Sequence, residues 1–321
     1  MLSTRRGLLA AAALLPHPAR AQGFPQRPIR LVVSFGHGGG ADLSARLLAP
    51  VMSERLGQQV LVENRAGAGG NVAAAAVARA APDGHTLLVS NPGPFSINQF
   101  IYPNMPYAPE RDLAGVMLLA EMPHVLVVNR DLPVHSLAEM VAYVRANPAR
   151  SNYGSGGIGS SGHLSFELLK LRTGMAVQHV PFRGSADVMK AVLGGDVQFA
   201  LDTLPVYAER IADGGVRALA IGGARRAPTL PDLPTVAESG VPGFSAGVWF
   251  AMAAPKATPP AILRQLNAAA NQALARPEVV ERLRLLGAAP MGGSVEDADR
   301  HFAEEATKWQ EIAVRTNTRV E

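Results

Sequence analysis

Three glycine-rich turns carry the residues of this 321-residue chain best equipped to hold an anion: IRLVVSFGHGGGAD over 29–42, ENRAGAGG over 63–70 and NYGSGGIGSSGH over 152–163. Each presents backbone N–H groups at or near the expected start of a helix, where unpaired donors and the helix dipole favour a carboxylate or phosphate. Ser160 and Ser161 add hydroxyl donors to the third. None of the three has the Lys-Ser/Thr pair of a nucleotide phosphate loop, and none spaces its glycines as a dinucleotide fingerprint. The chain has no cysteine, no H-E-x-x-H pair and no EF-hand loop, and GSGG around Ser155 lacks the G-x-S-x-G nucleophile elbow. The residues describe an anion receptor without a chemical step, needing neither metal nor cofactor.

Short β-branched runs alternating with helical stretches must position these turns. Strands are expected at Ile29–Phe35, Val60–Glu63, Thr86–Val89, Gly115–Leu119, Val125–Val128, Asn152–Gly154, Val177–Val180, Val197–Leu201, Ala218–Ile221 and Gly247–Ala253. Helices are expected at Ala41–Arg55, Asn71–Ala80, Ser136–Ala146, Ser161–Thr173 and Ala186–Leu193, with more after Pro259-Pro260, Pro277 and Ser294. Ser136 with Glu139 reads as a capping box, and Asn147-Pro148 closes that helix. The alternation signifies α/β architecture, parallel sheets covered by helices on both faces, and the length fits two domains. The proline-rich APTLPDLP over 227–234 reads as a connector between them, with a matching crossover near Glu121–His124.

Residues 1–21 have the parts of an export signal: Arg5 and Arg6, the apolar stretch Gly7–Leu15, and Ala19-Arg20-Ala21 before Gln22. The stretch is too short for the roughly 20 residues of a membrane span. Thr4-Arg5-Arg6 also resembles a twin-arginine signal, leaving the export route open. Removing Arg5, Arg6 and Arg20 turns 30 basic and 26 acidic side chains into 27 and 26. So nearly neutral a protein lacks the basic field of a nucleic-acid binder.

The turns, with APDGHTLL at 81–88, VPFRG at 180–184 and LPDLPTVAESG at 230–240, resemble the periplasmic solute receptors of tripartite tricarboxylate transporters, the Bordetella uptake gene family, across the whole mature chain. The resemblance implies a two-lobed periplasmic-binding-protein-like fold of type II, each lobe a mixed, mostly parallel sheet flanked by helices. It implies lobe 1 from 22–123 and 229–321, and lobe 2 from 124–228. A small organic carboxylate is expected in the cleft, passed on to a two-component membrane permease. Phe35, His37, Gly38, Gly39 and Asp42 would cradle one carboxylate with Gly157, Ser160, Ser161 and His163. Asn91–Phe95 and Gly184–Asp187 would be neighbouring walls, with Asp202 beyond another strand and Gly67 in the second turn.

Several of these residues have equally ordinary roles. Asp42 is suited to local backbone bonds or pairing with Arg46 or Arg65, His163 to capping, Gly67 to a tight turn, and Phe95 to the core. Two positions depart from the family pattern: Gly36-His37 replaces a common Ala-Pro, and Asp187 stands where proline is usual. An acid-sensing receptor without transport is a second reading. An exported nicotinamide-dependent oxidoreductase is a third, opposed by the glycine spacing and by Asn64 where an acidic ribose partner would stand.

Overall fold

Alternation within β1 (Ile29–Val33) sends Leu31 and Val33 into one apolar cluster and Val32 into another, so the strand is covered on both faces. The computed structural model describes residues 23–182, 184–316 and 318–319; the export signal expected at 1–21 and Arg183 of the VPFRG motif lie outside them. β2 (Val60–Asn64) and β3 (Thr86–Ser90) flank β1 in parallel, and β9 (Gly247–Pro255) enters antiparallel between β3 and β4 (Leu113–Asn129). Helices α1 (Gly40–Leu56) and α2 (Asn71–Ala78) are the crossovers of this half. A π-type turn at Gly93–Ile97 leads into α3 (Asn98–Ile101), and α4 (Pro109–Asp112) precedes β4.

The second half repeats the plan. α5 (Leu137–Ala146), β5 (Asn152–Ser155), α6 (Ser161–Thr173), β6 (Gln178–Pro181), α7 (Ser185–Gly194), β7 (Phe199–Thr203), α8 (Leu204–Ala212) and β8 (Val216–Ile221) follow in order. β5 lies parallel to both β6 and β7, while β4 runs antiparallel to β7 and β8. Leu126 and Val128 bury on the α5 and α6 side, Val125 and Val127 on the α7 and α8 side. The chain then returns through β9, α9 (Pro260–Leu274), α10 (Pro277–Leu285) and β10 (Ala289–Gly292) to α11 (Val295–Thr316). Ser294 opens α11: its Oγ accepts from Asp297 N at 3.1 Å, and the Asp297 carboxylate accepts from Ser294 N at 2.8 Å. The architecture is the expected α/β one, a mixed sheet in each half covered by helices on both faces.

Two expectations need correction. The strands expected at Gly115–Leu119 and Val125–Val128 are one, β4, whose 17 residues pair with β9 up to Pro123 and with β7 from His124. The crossover expected at Glu121–His124 lies within this strand, where pairing passes from β9 to β7 of the second half; Pro123, which has no N–H to donate, falls at that exchange. The proline-rich stretch, by contrast, is no inter-lobe connector. Ala227, Leu230 and Leu233 pack on the α7–α8 side of the second half. Ile221 N donates to Pro234 O, and Val236, Val241 and Phe244 join the α5–α6 cluster. The segment from Ala227 to Ala246 thus packs with the second half. α11 serves both halves, with Ala298 and Phe302 packed in the first and Trp309 and Ile312 in the second.

Candidate functional site

β1 ends where Ser34 Oγ meets Ser90 Oγ at 2.6 Å, tying together the starts of the two loops that follow β1 and β3. Beyond it, Gly38 takes φ +80°, and its N–H donates to Asp42 Oδ2 at 2.9 Å. Asp42 Oδ1 accepts from Arg46 Nε at 3.0 Å and Asn64 Nδ2 at 2.9 Å; the same amide donates to Phe35 O. Arg46 also reaches His37 Nδ1 at 3.1 Å. Burial raises the Asp42 pKa, but Arg46, the Gly38 N–H and Asn64 outweigh it and hold the carboxyl below its ordinary value. Asp42 and His37 therefore brace the first turn, and neither lines the cavity described below. Asp42→Asn should lower stability by about 1–3 kcal/mol, because an amide cannot accept every bond it inherits. An unchanged denaturation midpoint would remove Asp42 from that role.

The third turn is built on glycine for a backbone reason. Gly157 (φ +115°) and Gly159 (φ +78°) hold conformations that L side chains avoid. Ser160 caps α6, its Oγ accepting from His163 N at 3.3 Å, while Gly159 N donates to His163 Nδ1 at 3.2 Å. The His163 ring lies 4.2 Å from that of His179, whose Nε2 is 2.6 Å from Ser155 Oγ. Burial, joined by the neighbouring His179 and Lys170 charges, pushes His163 down to about 4. Its role is to hold the turn from beneath.

The turns following β1, β3 and β5 meet around a cavity of about 240 Å³, between the two halves. Phe35, Asn91, Ser160 and Ser161 line it as the sequence suggested. Gly69 lines it from the second turn, where Gly67 (φ +141°) sets the bend, and Gly38, Gly39 and Gly157 likewise shape turns from outside the lining. Ligands in open α/β sheets collect at such strand ends. Larger grooves exist, one of about 800 Å³ beside β8, but none of the three glycine-rich turns singled out in the sequence lines it.

Other expected residues stand elsewhere. Phe95 is a core residue, stacked 4.5 Å from Phe302 and 5.9 Å from Trp249. The Gly184 backbone lies against Gly156, within 3.5 Å of where a side chain there would begin. Asp187 occupies the first turn of α7, half-exposed and 3.7 Å from Lys190. Asp202 is buried beside Gly162; Oδ1 accepts from Thr203 N at 2.7 Å, Oδ2 has no described partner, and burial raises its pKa above the ordinary carboxyl value. Sequence reasoning missed Ile97, Ile101, Tyr102 and Ile158 as lining residues. The i, i+4 spacing of Ile97 and Ile101 was a visible sign of one face, though not of which cavity it meets.

Among the described residues no His, Asp and Glu cluster suits a metal, and no helix is long and apolar enough to cross a membrane. Comparison with known proteins gives one consistent answer. The chain is similar to Rpa4515 of R. palustris, solved with adipate: 38% identity, TM-score 0.82, 92% of this chain and 99% of that one covered. It is similar to the periplasmic binding protein BugD at 34% identity and TM-score 0.78, covering 93% and 100%. MatC from Rhodopseudomonas palustris, with bound malate, gives 36% and 0.77, covering 90% and 99%. The model of the tripartite tricarboxylate transporter family receptor matches residues 44–317, and the chain belongs to that family of non-enzymatic, periplasmic solute-binding proteins.

Proposed function

We propose that this protein, freed of residues 1–21, captures a small organic carboxylate between its halves and delivers it to a two-component membrane permease. The observation that carries this reading is the convergence of four strand-end turns on one cavity whose described polar lining is neutral: hydroxyls, amides and backbone N–H groups. Neutral donors replace the water shell of a carboxylate, which unpaired burial would penalise, while still permitting release. Adipate and malate in the related structures belong to the same chemical class. The halves close by bending at β4 near Pro123, with α11 following.

A thermal-shift screen tests the reading. One or a few mono-, di- or tricarboxylates should raise the melting temperature, since a ligand at about 100 times its Kd stabilises the folded form by about 2.7 kcal/mol. Calorimetry on the best acid should give an affinity near micromolar or tighter, about 8 kcal/mol. A protein indifferent to acids but stabilised by sugars or divalent metals refutes it.

A further inference from the structure

We infer that the cleft selects an acid with an apolar body over one with a hydroxylated body, and that Ile158 makes the selection; this rests on the cavity being the carboxylate site proposed above. Ile158 is 49% exposed, and it is the one strongly exposed large apolar residue, among those described, that lines this cavity. Its position is constructed: the positive-φ glycines 157 and 159 on either side carry its side chain on a turn too tight for other residues. An isoleucine held in water at a cavity wall gains only when something apolar covers it.

The opposite wall supplies the matching surface. Phe35 and the Tyr102 ring, both partly exposed, line the cavity from the first half together with the almost wholly buried Ile97 and Ile101, and Ile158 lines it from the second. The polar atoms are few and partly spoken for. Asn98 Nδ2 donates to Gly69 O at 3.0 Å and Asn71 Oδ1 at 2.7 Å, Asn91 Oδ1 accepts from Gly93 N at 3.0 Å, and Ser160 Oγ accepts from His163 N. The Ser160, Ser161 and Tyr102 hydroxyls and the Asn91 amide N–H groups remain, enough for a carboxylate. Hydroxyls along the ligand body would lose water against isoleucine and gain no partner in exchange. The relatives solved with adipate and malate show that the family holds both kinds of body, so the choice belongs to the residues of each chain.

Two pairs of acids, matched in carbon number, read this directly by calorimetry: hexanoate with gluconate, and adipate with galactarate. The apolar member of at least one pair should bind about tenfold or more tighter than its hydroxylated counterpart, about 1.4 kcal/mol. Ile158→Asn should erase most of that preference and Ile158→Val should retain it. Because the side chain is exposed, both variants should melt within about 2 °C of the parent without ligand. Equal or tighter binding of the hydroxylated acids overturns the inference and leaves the carboxylate reading intact. Preference unchanged in Ile158→Asn removes the role of Ile158, and no response to any carboxylate defeats both readings together.

Discussion

Replacing Phe95 with alanine should lower the unfolding free energy by about 3–5 kcal/mol, one of the two largest effects expected in this protein. The ring is 2% exposed and lies almost parallel to that of Phe302, at 6°, with Trp249 stacked beside both, 5.9 Å from Phe95 and 5.5 Å from Phe302. These three aromatics come from the loop after β3, from α11 and from β9, so the truncation opens a void where distant parts of the chain meet. Ligand ranking should stay as in the parent, because the cavity lining is untouched. Denaturant unfolding beside calorimetry checks both halves of the expectation. A variant as stable as the parent but altered in its choice of acid would place the ring at the cleft after all.

The second large effect is a loss of stability on mild acidification. Burial pushes His124 down to about 3, and burial, foremost among the causes, puts His163 and His179 at about 4, against an ordinary 6.5. Between those values the unfolded chain binds protons that the folded chain refuses. Stability is therefore complete above about pH 6.5 and declines as pH falls towards 4. At pH 5 His124 and His163, both deeply buried, should each forfeit about 2 kcal/mol, with His179 acting in the same direction. Unfolding free energies at pH 7.5 and pH 5 measure the difference, and His163→Asn should flatten part of the slope. Equal stability at the two pH values would mean that these imidazoles accept protons without unfolding.

Much of this was visible in the amino-acid order, for reasons that differ by element. β1, β2 and β3 are apolar runs bounded by glycine or polar residues, and α5, α6 and α11 carry Ser caps that the structure uses. Pro123 splits the apolar run of β4 into two in the sequence, yet the missing N–H matters little where the pairing partners change. β10 went unseen because Ala289-Pro290-Met291-Gly292 has no alternation and is held only by its pairing with β4. The glycine turns were legible as turns, since positive φ selects glycine locally. Which side chains share the cavity was legible only in part: Ile101 and Ile158 are 57 positions apart, and only the folded sheet makes them neighbours.

The insertion of β9 between β3 and β4 has a bearing on the order in which this molecule assembles. Leu88 pairs with Ala253, so the first sheet cannot close until the ribosome has passed residue 253. Almost everything the second half requires, from β4 to Ala246, is contiguous and comes out of the ribosome earlier. Contacts between nearby positions pay the smaller loop-closure entropy and form faster. The half made of one stretch is thus the natural nucleus, and the half split in two must wait with β1, β2 and β3 open at an edge. During that interval the Leu87-Leu88-Val89 edge is exposed to other chains, which gives a newly made molecule reason to complete its translation before committing to a fold.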